Sequence, residues 1–126
     1  MKQFFLDRLR AIGHAFRGWG FVMRTQRNAW VHAFISTAVI ILAIWLHVAP
    51  LDWALLVLAM GMVWSAEIMN TAIEAVVDLA SPVHHPLARV GKDVGAAAVL
   101  IAAGAAVIIG LLVLGPPLWD KLKMIF

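Results

Sequence analysis

Between Ala29 and Val48 the chain reads AWVHAFISTAVIILAIWLHV, with no Lys, Arg, Asp or Glu. A charge-free apolar run of that length is enough to cross a bilayer as a helix. Ala49-Pro50-Leu51-Asp52 interrupts the pattern, because proline disfavours helix at the residue before it. A second apolar span is predicted over 53–78. SPVHHPLARVGK, with Pro82 and Pro86, then reads as a connecting loop. A third span is predicted over 93–114, and Gly115-Pro116-Pro117 is expected to stop it. Trp30, Trp45, Trp53 and Trp119 fall near the span ends, where aromatic belts form.

Ahead of the spans, residues 2–24 alternate with a different period. Phe4, Phe5, Leu9, Ile12, Phe16 and Trp19 recur at helical spacing, and Arg8, Arg10, Arg17 and Arg24 occupy other faces. A basic amphipathic helix beside a span lies in the membrane interface and orients the protein there. The stretch lacks the continuous apolar core and small-residue cleavage site of a signal peptide, so it is read as mature sequence. The expected architecture is an all-α membrane protein of one domain over 1–126: an interfacial amphipathic helix within 1–28 and transmembrane helices at 29–48, 53–78 and 93–114.

Composition agrees with that pattern. Of 126 residues, 63% are hydrophobic and 13% charged, about half the charged fraction of a soluble domain. Mean hydropathy is +0.92. So short a chain cannot bury this much apolar surface internally, and lipid or other subunits must cover it. With no cysteine, disulfides and thiolate metal sites are excluded. A net charge of +3 beside three apolar spans argues against a nucleic-acid partner. Lys2, Arg8, Arg10, Arg17, Arg24 and Arg27 precede the first span, and Arg89 and Lys92 follow the second. The first loop carries neither Lys nor Arg. The positive-inside rule therefore expects a multi-pass protein of the cell (inner) membrane, with the N-terminus and the 79–92 loop in the cytoplasm.

The second span breaks its own apolar pattern at AEIMNTAIEAVVD, residues 66–78, which holds both glutamates of the protein. At 100° per residue Glu67, Asn70, Thr71, Glu74 and Asp78 share one stripe of a helix. An ionised carboxylate inside a span costs roughly 2.5–3.5 kcal/mol even on a lenient insertion scale, so the stripe must face protein or a wet cavity. Seven residues separate the two glutamates by about 10 Å, too far to share one proton or ligate one ion directly. That distance suits two tasks in one cleft, a general base and a carboxylate for a metal bridged to phosphate. The bland alternative is interhelical hydrogen bonding. Neutral side chains would do that at lower cost.

GKDVGAAA, at the start of the third span, adds Lys92 and Asp93 at the same cytoplasmic mouth. There Lys92 can answer phosphate charge, or be an ordinary boundary residue. Gly91, Gly95, Ala98, Ala102 and Ala105 form a small-residue stripe that serves helix packing without any chemistry. No P-loop is present: Gly13 and Gly18 have the outer spacing, but Trp19-Gly20 stand where Lys and Ser/Thr are required. His14, His32 and His47 are scattered and His84-His85 adjacent, with no zinc spacing.

The segment Glu67-x-x-Asn70-Thr71-Ala72-Ile73-Glu74-x-Val76-Val77-Asp78 resembles the signature of the small prokaryotic diacylglycerol and undecaprenol kinases. The likeness continues through His85-Pro86-Leu87-Ala88, Lys92-Asp93 and the Ala-Ala-Val-Leu beyond. Upstream it takes in Ala15-Phe16-Arg17-Gly18 and Arg27-Asn28 with His32, covering most of residues 8–110. The resemblance implies a homotrimeric bundle with composite sites between subunits. It implies transfer of the γ-phosphate of ATP to a membrane-lipid hydroxyl with Mg²⁺. Glu67 would be the general base and Asn70 would support it in catalysis. Glu74 would ligate the metal, and Arg8, Glu74, His84, His85, Lys92 and Asp93 would contact or border the nucleotide. This suits phosphoryl transfer, which rests mostly on positioning and electrostatics.

At the start of the first span the family shows Glu-x-Asn, whose glutamate is a second metal ligand. Here Gln26-Arg27-Asn28 puts a neutral amide there. A glutamine carbonyl can ligate Mg²⁺ but brings no charge. The lipid expected as acceptor is undecaprenol, on the likeness of His85-Pro86-Leu87-Ala88, with diacylglycerol as the alternative. Two non-enzymatic readings compete: a small transporter subunit, which would need broken helices or a fourth span, and an inactive assembly partner with Gln26 as its lesion.

Overall fold

The computed structural model describes residues 1–81, 83 and 85–124 of the chain. Pro82 and the predicted site residue His84 lie outside the described residues. Among the described residues four helices follow one another: α1 (Lys2–Thr25), α2 (Arg27–Leu46), α3 (Pro50–Ala80) and α4 (Pro86–Lys123). No strand occurs among the described residues. α2, α3 and α4 are each long and apolar enough to cross a membrane.

Each boundary has a local cause. α1 and α2 are parted by Gln26 alone, extended at φ −103° and ψ 118°, whose N–H still bonds the Val22 carbonyl at 2.9 Å. His47 closes α2 in the left-handed region at φ 54°. Its N–H reaches the Ile44 carbonyl at 3.1 Å and the Val48 N–H reaches Ala43 at 3.3 Å, so the last carbonyls are satisfied. α3 begins three residues ahead of the predicted span. Pro50 occupies the first helical position, where no N–H is needed, and Asp52 accepts the Ala49 N–H at 3.3 Å. α4 likewise starts at Pro86 rather than in the nineties, with His85 Nδ1 accepting the Leu87 N–H at 3.2 Å. Much of the expected loop is therefore helix.

The expected stop at Gly115-Pro116-Pro117 does not occur, and α4 runs on to Lys123. Two prolines forfeit two backbone bonds, yet contacts beyond them hold the last turns in line. Leu118 packs against the buried cluster, and Lys121 Nζ donates to the Trp45 carbonyl at 2.7 Å while lying 4.5 Å from the Trp45 ring centre.

α3 packs along α4, and α2 and α1 touch this pair more sparsely. The inward face of α3 carries Leu56, Ala59, Val63, Glu67, Asn70 and Thr71, all buried. One end of the bundle is thus apolar, with Ala43, Leu46, Leu56, Val113 and Leu114 as its core. The other end is lined by the polar stripe. The accessible surface is 9563 Å², against about 6,600 Å² for a compact soluble monomer of this mass. The excess is apolar: Phe34, Leu79, Leu100, Ile101, Leu111 and Leu112 are each more than two-thirds exposed.

Candidate active site

The stripe on α3 passes from buried to open along its length. Glu67 is 1% exposed, Asn70 and Thr71 are buried, Glu74 is half-buried and Asp78 is exposed. Thr71 Oγ1 donates back to the Glu67 carbonyl at 2.9 Å, which settles its hydroxyl within the helix. Glu74 is held by two neutral amides. Asn70 Nδ2 donates to Oε1 at 2.9 Å, and Gln26 Nε2 donates to Oε2 at 3.1 Å from the break between α1 and α2. The geometry therefore brings Gln26, Asn70 and Glu74 together. Glu67 stands deeper, its Oε2 buried with no hydrogen-bond partner.

Asn70 fits only because of what faces it on α4. Gly95 is buried, and a Cβ there would collide with Asn70 Oδ1. With its carbonyl oxygen against the glycine and itself unpartnered, the amide directs its N–H toward Glu74. Of the small-residue stripe, Gly95 is buried, Gly91, Ala102 and Ala105 are half-buried, and Ala98 is exposed.

One turn beyond Glu74, a cleft of 560 Å³ opens where α3 ends and α4 begins. Asp78, His85, Arg89, Lys92 and Asp93 line it, so three of the residues expected at the nucleotide share one mouth. Lys92 Nζ lies 2.5 Å from Asp78, and Arg89 Nε 3.8 Å from Asp93. A polyphosphate entering the cleft would compete with both carboxylates for these cations. His85 does double duty in position, bordering the cleft while capping α4. Arg8 is not brought here: it sits over the Phe4 ring at 4.8 Å, about 25 Å from the end of α1.

No group of three or more His, Asp or Glu side chains able to hold a metal occurs among the described residues. A cation at Glu74 would therefore have one carboxylate, the Gln26 carbonyl if that amide turned round, and oxygens from the substrate. This matches Mg²⁺, which is usually held by one or two carboxylates together with substrate phosphates.

Sequence reasoning did not bring His32 to Glu67, nor Trp64, Ser36 and Trp19 to the surroundings of His32. His32 Nε2 lies 3.7 Å from Glu67 Oε2. The Trp64 ring stands edge-on to His32 at 6.2 Å, donates Nε1–H to Ser36 Oγ at 3.3 Å and lies 4.6 Å from Trp19 of α1. A signal was available in α2: Ala29, His32, Ser36, Val39, Ala43 and Leu46 recur at three- and four-residue steps and none is exposed.

The family described as prokaryotic diacylglycerol kinase matches residues 13–114. The chain belongs to the prokaryotic diacylglycerol kinase family. An undecaprenol kinase of Bacillus subtilis is 42% identical over 105 residues, 83% of this chain and 85% of that protein. A diacylglycerol kinase of Synechocystis is 44% identical over 106 residues, 83% of this chain and 61% of the relative. The Escherichia coli K12 diacylglycerol kinase is 37% identical over 107 residues, 79% of this chain and 82% of that protein. The family match contains the whole stripe, Gln26, His32 and the cleft, whereas Arg8 precedes it.

Proposed function

We propose that this protein is a membrane lipid kinase that transfers the γ-phosphate of ATP to a lipid hydroxyl, with undecaprenol as the acceptor. Family membership carries the lipid kinase class, and the one observation that carries the mechanism is the Glu67 carboxylate. It is buried, unpartnered and about 10 Å deeper than Glu74. A carboxylate buried in a membrane span is a costly arrangement for a fold to keep, and its lone pairs are what a general base requires.

In the reaction the lipid oxygen attacks the γ-phosphorus while the bond from that phosphorus to the β–γ bridging oxygen breaks, releasing ADP. The hydroxyl proton passes to Glu67. Lys92 and Arg89 in the cleft offset phosphate charge, Asp93 and His85 border the nucleotide, and Asn70 holds Glu74 in place. Glu74, with Gln26 beside it, would hold Mg²⁺, which would offset phosphate charge. The working assembly is a homotrimer, as the family resemblance implies, and other subunits and lipid would cover the apolar surface that one chain leaves exposed.

The relatives divide over the acceptor: undecaprenol kinase and diacylglycerol kinase match at 42% and 44% identity. Diacylglycerol is therefore the second reading. Purified protein with ATP, Mg²⁺ and a panel of lipid alcohols tests both, and phosphorylation of undecaprenol in preference to diacylglycerol is the expected result. Glu67→Gln should keep assembly and nucleotide binding while losing about 10²–10⁴ in turnover, the usual worth of a general base. Near-normal turnover in the assembled variant would refute the assignment.

A further inference from the structure

Two buried polar atoms face each other across the α2–α3 interface, and neither has another partner. His32 Nε2 and Glu67 Oε2 are both buried without a hydrogen bond, 3.7 Å apart. That separation exceeds a hydrogen bond, which needs about 2.7–3.2 Å, and it is too short for a water to stand between. A shift of under 1 Å in either side chain closes it.

The surroundings restrict which groups could do the same. Both oxygens of Glu74 already accept from Asn70 and Gln26. The indole N–H of Trp64 is given to Ser36, and the Trp64 ring is itself flanked by Trp19. The imidazole of His32 is edge-on to that indole with its side chain 14% exposed, so its orientation is restricted by the indole.

We propose that His32 is a positioning residue for the Glu67 base: its Nε2–H donates to Glu67 Oε2 and holds the carboxylate in line with the acceptor hydroxyl. The inference rests on the lipid kinase reading. It adds a residue from α2 to a centre otherwise built on α3, α4 and the α1–α2 break. Donation to the carboxylate fixes its rotamer, so His32 acts on the chemical step and not on substrate capture.

The test measures kcat and KM for ATP and lipid in the full-length protein, first confirming that the wild type phosphorylates lipid. Silence of the wild type on every lipid would strike the lipid kinase reading itself, separately from this one. His32→Phe keeps a flat ring and removes both nitrogens. It should lower kcat roughly 10- to 100-fold, a part of the base's own contribution, with both KM values unchanged. His32→Gln, whose amide nitrogen falls near Nε2, should recover most of that loss. His32→Asn, whose amide falls near Nδ1, should not. In a Glu67→Gln background His32→Phe should cost nothing further, since residues that act as one unit are not additive. Unchanged kcat in His32→Phe, or an equal loss on top of Glu67→Gln, overturns the proposal. If His32→Phe fails to assemble, the Gln and Asn variants decide, and equal kcat in the two overturns it.

Discussion

At the scale of single residues, the most informative contact is the one Gln26 makes. Its amide gives an N–H to Glu74 Oε2 at 3.1 Å while Asn70 gives another to Oε1 at 2.9 Å. The carboxylate is thus oriented by two neutral donors before any cation arrives. For Gln26 to ligate a cation at Glu74, its amide would have to turn its carbonyl inward and give up that bond. Gln26→Glu removes that donor and sets a second carboxylate close to the first. Two like charges about 4 Å apart repel by roughly 1 kcal/mol in water, and by more as water is excluded. The variant should therefore unfold at a lower temperature than wild type without Mg²⁺ and be raised more by adding it. Its lipid kinase activity should half-saturate at lower Mg²⁺. Coincident melting and titration curves for the two proteins would show that position 26 does not face the ion.

At the scale of helices, how far the sequence could be read depends on whether one helix's own period suffices. The stripe Glu67, Asn70, Thr71, Glu74 and Asp78 follows from α3 alone; Glu67, Asn70 and Thr71 face protein as expected, whereas Asp78 opens onto the cleft. The pairing of His32 with Glu67 does not follow from α3 or α2 taken singly, because it needs their relative register. The run through Pro116 and Pro117 was equally illegible, since Leu118 and Lys121 hold those turns by contacts distant in sequence. Gly95 belongs to the same class. As part of a small-residue stripe it reads as packing, and only the facing Asn70 amide shows why it carries no side chain. Gly104 of the same helix has nothing within 4 Å of where a Cβ would stand. Gly104→Ala should be neutral or stabilise by up to about 1 kcal/mol, the helix propensity of alanine over glycine. Gly95→Ala should displace Asn70, cost about 1–3 kcal/mol as overpacking does, and weaken activity through the lost bond to Glu74. Thermal unfolding and turnover of the two variants, measured side by side, check the contrast. Equal behaviour would mean that Asn70 has room to move.

At the scale of the whole molecule, the two ends of the bundle differ in chemistry, and that difference decides where the reaction takes place. The bonds from Gln26 and Lys92 to the C-terminal part of α3 gather Arg24, Arg27, Arg89 and Lys92 at the polar end, together with the cleft. The opposite end has the apolar core, the turn at His47–Ala49, and Lys121 turned onto Trp45. Basic residues flanking a span stay on the cytoplasmic side, and that is the side where a nucleotide substrate is supplied. A nucleotide in the cleft and the excess of Lys and Arg at this end would both call for the same, cytoplasmic orientation. Cysteines placed singly at Asp52 and Val83 of this cysteine-free chain provide the check in intact cells. A membrane-impermeant thiol reagent added from outside should label position 52 and leave position 83 unlabelled until the cells are opened. The reverse pattern would put the cleft on the face without ATP, and the assignment of Lys92, Asp93 and His85 to the nucleotide would fall with it.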